Sequence, residues 1–261
     1  MSISLRRIVL TPAEKLLQDL GVTAPNDIDL EAIAWHRGAT VKYRPLKGCE
    51  ARIVGYDNRA VISIHTEGTP TRKRYSLAHE LGHWEHHRGQ SVICRADDIY
   101  GKNAASIIER VANRYAADLL MPGFLFDPFA EDLKALNTSA VTKAAEVFSV
   151  SKHASAIRLI ERSKQAVMLV CHVPNGRKFF SKSSTVPSSW ALHSSLDHRS
   201  SAMEILFGNR ADDPQPRKVA ADAWFDGRRA QYFEVREQTF RTFDREILTM
   251  LFLDDQLMVG E

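Results

Sequence analysis

The residues best suited to chemistry are the two histidines and the glutamate of the run HisGluLeuGlyHis. His79 and His83 are four residues apart, so on a helix both imidazole rings project from one face and can bind one zinc ion. Glu80 flanks that face, where its carboxylate can take a proton from a water molecule activated by the ion. The plainer alternative is a polar, solvent-exposed helix end, because two more histidines follow shortly after.

A catalytic zinc ion needs a third protein ligand and keeps one coordination position for water. A third histidine six residues after His83 is excluded, because that position is Gly89. The candidate is the carboxylate of Glu109, in a helix predicted over residues 106–121. Asp118 competes with it, but nine residues of helix turn Asp118 to the opposite face. A surface carboxylate paired with a neighbouring arginine is the alternative for Glu109.

Two more residues are candidates for supporting roles at this site. Asn113 lies one helical turn after Glu109, where it can accept a hydrogen bond from the outer ring nitrogen of a ligand histidine. Cys94 follows the second histidine by eleven residues, and its thiolate is a candidate inhibitory ligand in the water position of the zinc. A small buried side chain is the alternative for this cysteine.

Short elements must position these residues. Thr69 is predicted to cap the helix that carries the histidines, and Pro70 is its first residue. Three strands are predicted before it, over residues 40–43, 52–56 and 60–65. An exposed edge of the third strand would suit an extended peptide.

The segment 138–163 contains two helical patterns, 140–148 and 152–162, with a short corner between them. This arrangement resembles a helix-turn-helix, and simple helix packing is the alternative. DNA binding by this segment would use Lys143, Lys152 and Arg158 on phosphates.

Past residue 165 the pattern changes to short strand-like and helix-like runs, which predicts a second domain over residues 166–261. Aromatic and basic side chains alternate there. Arg228, Arg229, Tyr232 and Phe233 are the candidates for sensing single-stranded DNA by stacking and phosphate pairing. The alternative places the aromatic rings in a β-core and the arginines in solvent.

Composition sets outer limits. A formal net charge of +3 with 26% charged residues does not by itself indicate a nucleic-acid-binding protein. Three widely spaced cysteines favour a reducing compartment. No segment has the length and apolarity of a signal peptide or a membrane span, so we expect a cytoplasmic protein without a membrane partner.

Two runs, Arg74 to His83 and Glu109 to Pro122, resemble the ImmA/IrrE family of bacterial and phage metallopeptidases. The resemblance covers about residues 27–162. It implies a gluzincin-like zinc site in which His79, His83 and Glu109 are the ligands and Glu80 is the general base. It also implies a helix-turn-helix repressor as substrate, cleaved in response to stress, DNA damage or phage infection. A GAF-like sensor in the second half is a further implication.

The predicted fold class is therefore α+β. Residues 1–165 would form a zincin-like helical metallopeptidase domain with a small β-sheet, and residues 166–261 a smaller α/β sensor-like domain. The alternative function is a DNA-binding regulator with a structural or vestigial metal site. A zinc hydrolase of non-protein amides is also open.

Overall fold

The computed structural model describes residues 9–86, 104–243 and 245–260. Helices and two separate sheets confirm the α+β class. The chain divides into two compact units, of which the first holds residues 1–131 and 147–151 and the second holds residues 132–146 and 152–261. The division at residue 131 differs from the predicted boundary near 165, because the helices between these positions contribute to the second unit.

The described ranges of the first unit contain five α-helices. They are α1 (Pro12–Asp19), α2 (Leu30–His36), α3 (Pro70–His86), α4 (Ala104–Leu120) and α5 (Gly123–Glu131). The start of α3 is as predicted, since Thr69 Oγ1 accepts a hydrogen bond from the Arg72 backbone N–H at 3.2 Å. Similarly, Thr11 and Glu14 cap α1 through a reciprocal pair of hydrogen bonds.

The first unit contains a three-stranded sheet made of β1 (Ala39–Arg44), β2 (Ala51–Tyr56) and β3 (Arg59–His65). The strand order is β1-β3-β2, with β1 parallel and β2 antiparallel to β3. The prediction of a free edge on the third strand is therefore wrong, because both sides of β3 are hydrogen-bonded. Among the strands that the structure describes, β1 and β2 are the outer ones of this sheet.

Helix α3 packs on one face of this sheet. Trp84 of α3 lies over Gly55 of β2, where an added Cβ would come within 2.5 Å of the indole ring. The indole Nε1 donates a hydrogen bond to the Arg37 carbonyl at 2.8 Å, and the Arg37 guanidinium pairs with Glu85 of α3. These contacts hold the Trp84 side of α3 against the sheet and so fix the orientation of the helix about its axis.

The second unit is built on a five-stranded sheet of order β5-β4-β8-β7-β6, antiparallel in every pairing. Its strands are β4 (Val167–Val173), β5 (Gly176–Lys182), β6 (Arg217–Ala220), β7 (Glu234–Phe243) and β8 (Glu246–Phe252). Its helices are α6 (Thr138–Val147), α7 (Lys152–Arg162), α8 (Ser201–Phe207) and α9 (Gln256–Val259). The unit is thus α+β rather than strictly α/β.

The two helices predicted as a helix-turn-helix are confirmed as helices α6 and α7. Ser155 Oγ of α7 donates to the Val141 carbonyl of α6 at 2.9 Å, and α7 packs on β4 and β5. The expected phosphate contact from Arg158 is wrong, because this side chain is only 2% exposed. Packing against the sheet accounts for the amphipathic pattern of α7.

No helix in the described ranges is both long and apolar enough to cross a membrane.

Candidate metal centre

Helices α3 and α4 bring three donor side chains together in the first unit. His79 and His83 lie on successive turns of α3, and Glu109 faces them from α4. The two histidine Nε2 atoms are 3.0 Å apart. Oε2 of Glu109 lies 3.1 Å from Nε2 of His79, and Oε1 lies 3.3 Å from Nε2 of His83. All three side chains are buried, so the donor atoms converge on one point away from bulk water.

This donor set fits a zinc ion. Zinc binds histidine nitrogen and carboxylate oxygen at about 2.0 to 2.2 Å in tetrahedral geometry, which places neighbouring donors about 3.3 Å apart. The observed separations of 3.0 to 3.3 Å are close to that value. Among the residues that the structure describes, this is the one group of histidine, cysteine and acidic side chains close enough to hold a metal.

The charge state of Glu109 also suits a cation. Burial by itself raises the pKa of this carboxyl group, but hydrogen bonds from His79 and His83 outweigh burial and hold the pKa well below its ordinary range. Glu109 is therefore ionised at neutral pH and supplies a negative charge to the site.

Gly82 allows α4 to come this close to α3. An added Cβ at this position would lie 2.9 Å from both Cα and the carbonyl oxygen of Ala112, and 3.2 Å from Cβ of Tyr115. Two of these atoms are backbone atoms of α4, so no side-chain movement would relieve the contact. The missing side chain between the two histidines thus sets the distance at which Glu109 can reach them.

Glu80 is buried, with 1% of its surface exposed. It follows His79 on α3, and one residue of helix is a rotation of about 100°, which puts Glu80 beside the face that carries the ligands. The carboxylate of Glu80 is thus buried on the flank of the face of α3 that carries the two histidines.

The predicted role of Asn113 is corrected by its contacts. Its Oδ1 accepts a hydrogen bond from the Tyr75 hydroxyl, and not from a ligand histidine. The Tyr75 ring in turn stacks on the His79 ring, with centroids 6.0 Å apart and planes 29° apart. Nδ1 of His79 is buried and has no hydrogen-bond partner in the described part of the chain. Asn113 therefore contacts the tyrosine that stacks on His79.

Two further candidate ligands were Asp118, the competing carboxylate, and Cys94, the inhibitory thiol. Asp118 of α4 is buried and accepts a hydrogen bond from Nε of Arg114 at 3.2 Å, apart from the three-donor group. Its position away from the ligands is as predicted. Cys94 lies outside the described residues.

Some of the residues predicted to bind single-stranded DNA contact other residues of the second unit. The Arg229 guanidinium lies 5.6 Å from the Trp190 ring centroid and 5.7 Å from that of Phe233, and it donates to the Leu257 carbonyl at 2.6 Å. Arg228 and Tyr232 are exposed. Arg229 and Phe233 thus contact other residues of the second unit, whereas the solvent positions of Arg228 and Tyr232 leave their sensing role a prediction.

Two residues of the site were missed by the sequence reasoning. Gly82 carried a signal, because glycine inside a helical pattern indicates a close approach. Tyr75 precedes His79 by four residues, so the two share a helix face, which could have indicated their stacking.

Residues 34–159 match the family described as peptidase M78, the IrrE N-terminal-like domain. Among solved structures, a Mycobacterium tuberculosis transcriptional regulator is similar, with 17% sequence identity and a TM-score of 0.57 over 92% of this chain and 85% of that chain. At this identity the likeness concerns the fold alone. No curated protein sequence matches the chain.

Proposed function

Since residues 34–159 belong to the family of IrrE N-terminal-like domains, we propose that the chain is a zinc-dependent endopeptidase that cleaves a helix-turn-helix transcriptional repressor. The observation that supports this most strongly is the convergence of Nε2 of His79, Nε2 of His83 and the Glu109 carboxylate within 3.3 Å. A zincin-like site of gluzincin type is part of the proposal.

His79, His83 and Glu109 would hold the ion in this proposal. A bound zinc ion supplies a Lewis acid that polarises a peptide carbonyl and lowers the pKa of a coordinated water to about 7. The ionised Glu109 offsets part of the charge of the ion. Burial excludes bulk water, which strengthens the electrostatic interactions inside the site.

Glu80 is the proposed general base. Its carboxylate would accept the proton of the attacking water and pass it to the amine that leaves when the peptide bond breaks. Tyr75 would hold the ring of His79 in place by stacking, with its hydroxyl fixed by Asn113. Metal binding would thus use residues of α3 and α4, and proton transfer would use Glu80 of α3.

The substrate class is inferred from the family resemblance, because repressor cleavage is what that resemblance implies. Within the described part of the first unit, the outer edges of β1 and β2 are strand edges on which an extended segment of a repressor could pair. We place the activity in the cytoplasm, where a transcriptional repressor would be found. Stress, DNA damage or phage infection is the proposed trigger.

The second unit is proposed to be regulatory. The three-donor group lies wholly in the first unit, and no second such group occurs in the described residues. A GAF-like sensor remains a prediction for this unit. Single-stranded DNA has little support as a ligand there, because Arg236 pairs with Asp254 and Arg241 with Asp212.

The alternative function, a DNA-binding regulator with a structural or vestigial metal site, has less support. Arg158 is buried, and α7, which would be the recognition helix, packs on its own sheet. A structural zinc site would need a fourth protein ligand, whereas a peptidase keeps that position for water.

The test is incubation of the full chain with the repressor encoded beside its gene. We expect one cut that a chelator abolishes and added zinc restores. A repressor that stays intact with zinc-loaded protein under every proposed trigger would contradict the peptidase function.

A further inference from the structure

One face of the three-stranded sheet is exposed along its two edge strands, β1 and β2. Side chains alternate between the faces of a strand, and the face that carries Ala60, Ile62 and Ile64 of β3 is buried. The strand register therefore assigns the other residues to the opposite face, which we call the outer sheet face. Its residues are Thr40, Lys42, Arg44, Arg52, Val54, Tyr56, Arg59, Val61, Ser63 and His65.

The outer sheet face carries four cations and no carboxylate. Lys42, Arg44, Arg52 and Arg59 are all exposed. None of the four forms an ion pair with any residue of the described ranges. The contact that Arg44 makes is a hydrogen bond to Ser63 Oγ at 2.6 Å, which leaves its charge uncompensated.

Four exposed arginines of the second unit are paired instead. Arg199, Arg210, Arg236 and Arg241 each pair with a carboxylate within 3.0 Å. The acidic residues Asp57 and Glu67 lie beyond the strand ends, and Oε2 of Glu67 is 3.7 Å from Nε2 of His65. The outer sheet face thus groups four unpaired cations on one surface about three strands wide.

Apolar and aromatic groups lie among these cations. Tyr56 is 82% exposed and Val54 is 61% exposed. Tyr56 is the cross-strand partner of Arg59, so an aromatic residue and a cation are neighbours on this face. Cations bind phosphates, and an exposed ring provides a surface on which an unpaired base can stack. A duplex offers phosphates but no free base face.

We propose that the outer sheet face binds single-stranded nucleic acid. The four cations contact successive phosphates, and Tyr56 stacks on a base. This inference does not depend on the peptidase function, because it uses none of the residues of the metal centre.

The experiment is a fluorescence anisotropy titration of the full chain with a labelled oligodeoxythymidine at several salt concentrations. Four phosphate contacts give a slope of log K against log salt of about −3, at about −0.7 per contact on a single strand. Lys42→Ala or Arg52→Ala should reduce the slope by about 0.7 each. Tyr56→Ala should weaken binding by about 5- to 150-fold with little change in slope.

Two controls separate this surface from others. Lys134→Ala removes an exposed cation of the second unit and should leave binding unchanged. Circular dichroism and zinc binding confirm that each variant is folded. The proposal is overturned by no binding at low salt, by tighter binding to a duplex or to an acidic peptide, or by a slope that Lys42→Ala and Arg52→Ala leave unchanged.

Discussion

Replacing Gly82 with alanine should weaken zinc binding, although the residue touches no metal. The new Cβ would lie 2.9 Å from Cα and from the carbonyl oxygen of Ala112. Carbon contacts are normally about 3.5 to 4.0 Å, so the backbone of α4 must move by roughly 0.5 to 1 Å. Glu109 lies on α4 three residues before Ala112 and would move with it, whereas metal–ligand distances tolerate about 0.2 Å.

The size of the effect follows from two opposing contributions. Overpacking of this kind costs about 1 to 3 kcal/mol, and the higher helix propensity of alanine returns up to about 1 kcal/mol. We therefore expect a loss of up to about 2 kcal/mol in the free energy of unfolding. Zinc affinity should fall by about 10- to 100-fold, as when other groups that orient metal ligands are changed.

Competition with a chromophoric chelator measures the affinity, and Arg72→Ala, at an exposed position of the same helix, is the matched control. Gly82→Ser should lose at least as much affinity as Gly82→Ala. If Gly82→Ala bound zinc as the wild type does, the close helix crossing would not be what positions Glu109.

Two more predictions concern single residues. Tyr75→Phe keeps the ring on His79 and loses the hydrogen bond to Asn113, so it should lower the free energy of unfolding by about 1 kcal/mol. It should also lose less zinc affinity than Tyr75→Ala, which removes the ring. Equal zinc affinity in both variants would contradict the stacking role. His172 is 1% exposed, and burial, with a smaller effect of Arg177, lowers its pKa from 6.5 to about 4. As the pH falls from 6.5 to 4, His172 becomes protonated in the unfolded chain but stays neutral in the folded unit. The free energy of unfolding therefore decreases across that range by up to about 3 kcal/mol. Urea unfolding at several pH values should show a smaller fall for His172→Phe, and an equal fall would contradict this reasoning.

The sequence predicted local features of the site well, because they depend on short-range patterns. Thr69 and Pro70 mark the start of α3 through capping chemistry. The spacing of His79 and His83 places both on one face of any helix. The carboxylate of Glu109 followed from the need for a third ligand and from the resemblance.

Features that depend on how elements pack could not be predicted in this way. The parallel pairing of β1 with β3 brings together strands separated by β2, and nothing in their alternating patterns selects this order. Asn113 faces Tyr75 because of the rotation and distance of two helices, which the sequence of one helix does not contain. Helices α6 and α7 join the second unit because the strands they cover come later in the chain.

The central claim is tested most directly by the repressor cleavage rate of zinc-loaded Glu80→Gln, with zinc content measured on the same sample. Glutamine keeps the shape of the side chain and leaves His79, His83 and Glu109 in place, but it cannot accept a proton. We predict one zinc ion per chain and a cleavage rate lower by about 10²- to 10⁴-fold. Cleavage at the wild-type rate by this variant would contradict the account.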